Sequence, residues 1–562
     1  MIIGIDLGTT NCLAACFANG EPKLIPNKYG EYLTPSVVSI DENDQLFVGK
    51  AAKERKIKYP DQTVEVFKRS IGTEKEFVLG RQKMTAVMLS SIMLRSLKED
   101  SEKYLGETVD EAIISVPAYF NELQRKATKE AGELAGIKVK RIINEPTAAA
   151  LAYGVGEKGL DEVVMAFDLG GGTFDVSILE FFDGIVEVHA IAGDNYIGGE
   201  DFTKILMEIF CSKAGCDMER LSLKEKAHIG NQCENAKKLF LHQHKVQVCC
   251  NLGGDEYCAD ISLREYEKAC QGLLEKMKEP IERSLKDSSF KLSEIDKVIL
   301  IGGGTRLPIV QSFVAKMFKK FPDFTVNPDE AVALGAAIQC AMSRKNEAVK
   351  EYVLTDVCPF TLGTSVLRKG SGKMDDQIVF CPIIERNTVI PVSRTERFYT
   401  VEDNQTSVSI DILQGESRFV KSNLLLGTLN VKIPPAPAGE ESILVTYTYD
   451  INSLLEVKIK VESTGKEKTM ILQQAGEKIS EEEARMRMKE LDYLKVVPWE
   501  QEINKQVIFR GERLYEESLG DVRAYIMEVL IDFENVLVRQ NKKEINECRK
   551  KVLEIFDEIE QL

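Results

Sequence analysis

The chain has 562 residues and a formal charge of −16, from 73 basic and 89 acidic side chains. That length implies several domains, each able to bury its own core, and the acidic balance excludes nucleic acid or an anionic membrane as the main partner, since both need a basic surface. No apolar run reaches the roughly 20 residues that span a bilayer, the 13 cysteines include no CxxC pair, and the 4 histidines do not stand at zinc-ligand spacing from them.

The first expected element is a strand in IIGIDLGTTN, 2–11, followed by a glycine turn with Asp6 before it and Thr9 and Thr10 after it. Glycine takes positive φ and has no Cβ, so backbone N–H groups in such a turn close on a phosphate. The opening MIIGIDLG has no basic flank, so no signal peptide is expected. Reduced thiols in a cytoplasm follow, with Cys12 and Cys16 facing a core. PSVVSI, 35–40, reads as a strand, and VEVFKRSIG holds Lys68 and Arg69 in a mostly apolar stretch. Lys68 is either a solvated surface lysine or a point cation aimed at a γ-phosphate. An amphipathic helix is expected over 84–105 and a strand in EAIISVPAYF, 111–120. Asn121 caps the next helix, which ends near Gly136. In IINEPTAAALAYG, 142–154, Glu145 stands before a proline at the start of an alanine-rich helix. It is a cap, a surface charge or a cleft-lining carboxylate.

VVMAFDLGGGTFDVSI, 163–178, repeats the plan of 2–11. Asp168 ends one strand, Gly170, Gly171 and Gly172 turn the chain, Thr173 adds a hydroxyl, and Asp175 follows. Two carboxylates beside such a turn suit a hydrated Mg²⁺, which takes few protein ligands directly. Two such units predict two homologous lobes, whose facing hairpins enclose a triphosphate. VILIGGGTRLP, 298–308, is a third version, and no Walker-type lysine loop occurs. GGEDF, 198–202, starts a helix with Gly198 and Gly199 at the anion-favouring end. In the helix at 225–241, Glu234, Lys237 and Lys238 share a face, by default an exposed ion-pair face. NPDEAVALGAAI, 327–338, starts a small-residue helix that packs closely on a neighbour.

After YVLTD, 352–356, short alternating runs predict an antiparallel β-sandwich, with PPAP at 434–437 as a turn or edge feature. By alternation alone, Phe398, Val401, Val408 and Ile410 are inward strand residues. Ser480 caps a helix in SEEEARMRMKELDYL, Pro498 and Trp499 break the pattern, and two or three helices run on to Leu562.

IDLGTTN, VPAYFNELQR, NEPTAAALAYG, DLGGGTFDVS, GGEDF, GGGTRLP and NPDEAVALGAA together resemble, in order and spacing over about 340 residues, the ATPase domain of the 70-kilodalton heat-shock chaperones of the DnaK type. The resemblance implies a multidomain chain. An α/β actin-like two-lobed ATPase domain covers 1–350, a linker 351–357, an antiparallel β-sandwich peptide-binding domain 358–475, and a C-terminal α-helical lid 476–562. It further implies ATP or ADP with Mg²⁺ between the lobes. Gly8, Thr9, Thr10 and Asn11 would form one phosphate loop, and Gly171, Gly172 and Thr173 the other. Asp6, Asp168 and Asp175 would hold the hydrated metal. Lys68, Glu145, Asp168 and Thr173 would serve catalysis, Glu145 with the carboxylates placing the attacking water. Glu234, Lys237 and Lys238 would border the adenosine, with Gly303, Gly304, Arg306 and Asp329 on its other side. Pro117, Arg125 and Asp356 would relay nucleotide state. Phe398, Val401, Val408 and Ile410 would line a pocket for hydrophobic segments of unfolded client polypeptides.

The implied activity is ATP-dependent capture and release of such segments, with a J-domain co-chaperone and a nucleotide-exchange factor as partners. A small-molecule kinase on an actin-like fold and a non-hydrolysing scaffold are the alternatives. Leu241 stands where the family often has a small hydroxyl residue, Thr355 interrupts the leucine-rich linker and is expected to weaken its docking, and KGSGKMDDQ, 369–377, replaces a short loop near the pocket. The segment from Phe202 to Glu234 is shorter than in typical members. The short lid resembles the bacterial HscC-like branch and implies faster substrate release.

Overall fold

The computed structural model describes residues 1–155, 161–182, 184–253, 255–368, 377–451, 454–472 and 494–560, with positions 486, 488, 489 and 491. The loop at 369–376 and most of the helix expected from Ser480 lie outside them. Two compact units divide the described residues: Met1–Phe360 with Arg386–Val389, and Thr361–Glu385 with the described residues after Val389.

In the N-terminal unit, numbering only the longer elements, the chain forms β1 (Ile2–Leu7), β2 (Asn11–Ala18), β3 (Glu21–Ile25), α1 (Ala86–Leu105), β4 (Glu111–Val116), α2 (Glu122–Leu134), β5 (Lys138–Asn144) and α3 (Glu145–Gly154). The strands lie in the order β5-β4-β1-β2-β3, with β1 parallel to β4 and antiparallel to β2. Next come β6 (Asp161–Leu169), β7 (Phe174–Phe182), β8 (Ile185–Asp194), α4 (Gly199–Ala214), α5 (Leu223–Leu239), β9 (Lys245–Leu252), β10 (Asp255–Ser262), α6 (Leu263–Ser288), β11 (Lys297–Ile301), α7 (Pro308–Phe318), α8 (Ala331–Ser343) and β12 (Val353–Val357). Their main sheet runs β11-β6-β7-β8-β12, with β6 antiparallel to β7 and parallel to β11. An antiparallel meander with a parallel strand beside its first member thus occurs twice. This is the two-lobed duplication expected from the two Asp-glycine turns.

Local chemistry sets the helix starts. The Asn121 side chain accepts from the Gln124 N–H and the Gln124 side chain accepts from the Asn121 N–H, a reciprocal cap. Pro146 stands in the first turn of α3, where its missing N–H costs nothing. Small residues let α8 lie against α3: a Cβ on Gly335 would fall 1.7 Å from the Ala148 carbonyl oxygen. Cys12 and Cys16 face the first lobe's core with Ile3, Ile5 and Val38.

One expectation changes here, and one gains detail. Thr355 lies within β12, which pairs in parallel with β8 with Thr355 opposite Glu187. A β-branched side chain suits an extended strand, although its buried hydroxyl finds no hydrogen bond. The thiols are not all reduced: Cys249 on β9 and Cys258 on β10 form a disulfide. They are direct partners in the antiparallel register, with Cα atoms 4.2 Å apart. A hairpin brings them together, which CxxC spacing does not reveal.

The C-terminal unit holds β13 (Leu362–Arg368), β14 (Gln377–Ile384), β15 (Val392–Tyr399), β16 (Ser407–Gln414), β17 (Leu424–Lys432), β18 (Ser442–Tyr449), β19 (Leu455–Val461) and β20 (Glu467–Leu472). They form two antiparallel sheets, β14-β13-β16-β17 and β15-β18-β19-β20. Their inner residues alternate, as in Val445, Tyr447 and Tyr449, and the Tyr447 hydroxyl donates across the sandwich to the Gly363 carbonyl at 3.0 Å. Three further helices, α9 (Glu502–Glu517), α10 (Gly520–Val538) and α11 (Lys542–Glu560), bury Ile526, Phe533 and Phe556 among themselves. Between α10 and α11, Gln540 reaches the edge strand β15. Its side-chain oxygen accepts from the Thr395 N–H at 3.2 Å and its amide donates to the Thr395 carbonyl at 2.7 Å. No described helix is long and apolar enough to cross a membrane.

Candidate active site

The β1–β2 and β6–β7 turns face each other. A Cβ on Gly171 would lie 1.7 Å from the Thr10 Oγ1, and one on Gly172 2.6 Å from the Thr9 methyl carbon, so side chains there would collide with the opposite turn. Asn11 backs the first turn, its carbonyl oxygen 2.1 Å from where a Gly8 Cβ would stand. The start of α4 backs the second. Gly199 and Glu200 donate backbone N–H groups to the Gly170 and Gly171 carbonyls, each at 2.9 Å. Arg69 crosses between the lobes: its Nε donates to the Gly172 carbonyl at 2.8 Å and its guanidinium pairs with Asp201. The third glycine turn supports the second, since Gly302, at φ +81, passes so close that a Cβ would fall 2.5 Å from the Leu169 carbonyl oxygen.

Strand ends bring Asp6, Asp168 and Asp175 beside these turns, and the start of α3 adds Glu145. Lys68 enters on a 3₁₀ turn, Phe67–Ser70, preceded by Val66 at φ +57. That left-handed conformation is costly for a β-branched residue, and such strain gathers at functional sites. Lys68 is only 3 % exposed, which removes the surface-lysine reading. Its Nζ donates to Glu145 Oε1 at 2.7 Å and lies 5.5 Å from the centre of the Phe120 ring. Burial opposes its charge, but Glu145 and Asp6 outweigh burial and raise its affinity for the proton.

One lysine does not balance four acids, of which Glu145, Asp168 and Asp175 are buried and Asp6 is half-buried. Burial, then repulsion from Glu145, pushes the Asp6 carboxyl up to about 7, although the Ser115 hydroxyl donates to it at 2.8 Å. Asp168 and Asp175 are raised well above the usual range by burial and then by Glu145. Asp175 accepts from the Tyr119 N–H at 3.1 Å, whereas Asp168 Oδ2 and Thr10 Oγ1 are buried without a hydrogen-bond partner. An all-oxygen donor set with an orphaned carboxylate oxygen and strained protonation equilibria fits a hard divalent cation such as Mg²⁺.

Two further polar groups stand apart from this centre. Lys237 is buried and ties α5 to the start of α4, donating to the Gly199 carbonyl at 2.9 Å and the Thr203 hydroxyl at 2.7 Å and pairing with Glu234 at 2.6 Å. Burial raises the Glu234 carboxyl, but Lys237 outweighs it and holds the group below its usual range. Lys238, 3.6 Å from Glu234, is largely exposed, as is Leu241. On the second side, Arg306 donates to Asp329 at 2.8 Å and to Asn327 at 2.8 Å, with Gly303 beside Asp329. Among the described residues no hydrogen bond joins these two groups.

A buried chain of bonds leads away from Glu145. Asn144, its neighbour, accepts from Arg125 at 2.6 Å and donates to Asp356 on β12 at 3.2 Å. Arg125 also donates to the Phe120 carbonyl at 3.0 Å, and the Phe120 N–H donates to the Pro117 carbonyl at 3.2 Å. Burial raises the Asp356 carboxyl. Sequence reasoning missed Arg69, Ser115, Tyr119 and Asn144. Arg69 and Asn144 stand next to residues it singled out, and adjacency was the one available signal.

In the C-terminal unit Phe398 lies on β15 and Val408 and Ile410 on β16, in different sheets, with Val401 in the following loop. Phe398, Val401 and Val408 are half-buried, while Ile410, 4 % exposed, is a core side chain opposite Leu429.

A duplicated lobe with facing glycine turns, set over buried carboxylates and a buried lysine, defines an actin-like ATPase fold. A family model described as "Hsp70 protein" matches residues 2–79 and 74–552. The chain is 42 % identical over 500 residues to "Chaperone protein DnaK" of Thermotoga neapolitana, covering 86 % of this chain and 82 % of the relative. It is 38 % identical over 590 aligned positions to the protein of that name from Thermosipho melanesiensis, covering 100 % of this chain and 95 % of the relative. The chain belongs to the Hsp70 family, whose members are ATPases coupled to chaperone activity.

Proposed function

We propose that this protein binds Mg-ATP between its two glycine turns and uses hydrolysis to set how firmly its C-terminal unit holds an extended hydrophobic segment. The observation that carries the first half is the close approach of Gly171 to Thr10 above Asp6, Asp168, Asp175, Glu145 and Lys68. Backbone N–H groups of both turns cradle phosphate oxygens. Asp6, Asp168 and Asp175 would hold Mg²⁺. A cation held there would supply positive charge to the phosphate oxygens. Lys68 Nζ faces the charge that develops on the transferred group. Glu145, held by Lys68, and the Thr173 hydroxyl orient the attacking water. Glu234, Lys237 and Lys238 border the adenosine, with Gly303, Gly304, Arg306 and Asp329 opposite.

The chain Glu145–Asn144–Asp356 supports a relay, because it joins the catalytic carboxylate's neighbour to the strand that leads into the C-terminal unit. Phe398, Val401 and Val408 offer half-buried apolar surface to a peptide whose side chains alternate at period two. Ile410 supports that surface from the core. A J-domain co-chaperone, a nucleotide-exchange factor and a cytoplasmic setting complete the reading. The eight-stranded sandwich with its helices speaks against a small-molecule kinase, which needs no such appendage. ATP turnover by the full chain, with and without a model hydrophobic peptide, tests it. Stimulation by peptide is expected, and turnover indifferent to peptide would sink the coupled reading.

A further inference from the structure

The Cys249–Cys258 pair stands outside the machinery above. Its hairpin has two unlike faces. Val246, Val248, Cys250, Leu252, Ala259 and Ile261 point inward and share a core with Cys233 and Ala236 of α5 and with Phe240 at its end. Cys249 and Cys258 belong to the other face, Cys249 half-buried and Cys258 exposed. We propose that Cys249 and Cys258 form a reversible thiol–disulfide exchange site, open to low-molecular-weight thiols and disulfides through the Cys258 sulfur.

Three observations carry this. The first is that the bond is not needed to close the hairpin. The residues are nine apart, and eight backbone register pairs and the buried inner face already hold them together. A loop that short, already closed, leaves a cross-link little chain entropy to remove. The second is access. Exchange requires a thiolate to reach one sulfur, and Cys258 presents its sulfur on the outer face. The third is contrast. Cys12, Cys233, Cys270 and Cys340 are buried, and burial pushes each thiol away from the reactive thiolate. In a reducing compartment an accessible disulfide of this kind is a transient, redox-responsive bond.

The chemistry balances with a single partner class. A thiolate RS⁻ attacks Cys258 Sγ, forms a mixed disulfide and expels Cys249 as a thiolate, which takes up a proton. A second RS⁻ attacks the mixed disulfide, releases RSSR and leaves Cys258 as a thiolate, which is protonated in turn. Two RSH are oxidised as one protein disulfide is reduced, and the reverse sequence consumes RSSR. Breaking the bond frees the outer face while the inner face stays packed, so the hairpin loosens without the lobe unfolding.

The test uses the intact full-length chain in glutathione mixtures from fully reduced to fully oxidised. The samples are acid-quenched, alkylated under denaturing conditions and read by peptide mass spectrometry. Cys249 and Cys258 are expected to pass together from doubly alkylated to unalkylated as the mixture becomes oxidising, with Cys12, Cys233, Cys270 and Cys340 alkylated throughout. Hydrogen exchange on native portions of the same mixtures, taken before quenching, is expected to slow severalfold at Val246–Leu252 on oxidation, and the Cys249→Ser/Cys258→Ser variant is expected to show no difference between mixtures. Both cysteines alkylated in the most oxidising mixture, a bond surviving the most reducing one, or equal exchange in the two states of the wild type would overturn the proposal. None of these readouts depends on nucleotide, so they fail or succeed apart from the ATPase reading.

Discussion

Gly171 and Thr10 sit on turns from different lobes, yet a Cβ on the glycine would come within 1.7 Å of the threonine hydroxyl. The backbone of one lobe therefore packs directly on a side chain of the other. Gly171→Ala is expected to push the turns apart and weaken Mg-ATP binding by more than about tenfold, ~1.4 kcal/mol. Calorimetric titration of the full chain checks this, and wild-type affinity would reject the idea that both turns enclose one ligand.

Lys68→Ala removes the cation proposed to face the phosphate oxygens and leaves Glu145 without its ion pair. ATP binding is expected to survive while single-turnover hydrolysis falls by roughly 10²-fold or more. An unchanged rate would take the catalytic role from Lys68.

The acids are expected to make stability depend on both pH and metal. Asp6 rises from a normal value of 3.8 to about 7 through burial and then Glu145. A folded-state value above the unfolded one favours the protonated form. The stability it contributes is complete below about pH 4 and disappears as pH rises through about 7. Without divalent cation, Tm is expected to fall across that window. Mg²⁺ with nucleotide favours the ionised form and should flatten the curve. Identical thermal-melt profiles with Mg-ATP and with EDTA would count against carboxylates that gather round a cation.

Asp356→Ala leaves the Asn144 amide without its carboxylate. A broken buried hydrogen bond costs about 1–3 kcal/mol, so amides at 353–357 should exchange faster with deuterium. Peptide stimulation of turnover should fall while basal turnover persists. Stimulation at the wild-type level would disconnect this residue from the relay.

Val408 is half-buried on β16, opposite Val431. Val408→Phe fills space that a bound side chain would take, so a fluorescent hydrophobic peptide should bind several times more weakly with basal ATPase intact. An unshifted peptide titration removes Val408 from the pocket.

The repeated aspartate–glycine turns were legible because strand ends and glycine need only local sequence to be recognised. So were the capped helix after Asn121 and the alternating strands after residue 360. Lys68 was ambiguous in isolation: a lysine in VEVFKRSIG looks the same solvated or buried, and Glu145, 77 positions away, decides the matter. Arg69 stands beside Lys68 in the sequence with no role to read, because its partner Asp201 is 132 positions distant and on the other lobe. Asn144 was hidden by its neighbour. The disulfide depended on hairpin register, which no spacing rule for cysteine pairs reports.

The Gln540 amide gives Thr395 the two bonds that an adjoining strand would otherwise supply. β15 ends its sheet, and an uncovered sheet border is a template for another chain. The Gln540 side chain thus takes up bonding groups on that border, and copies cut short before Gln540 are expected to associate through it more readily than the full chain, which size-exclusion chromatography of the two checks.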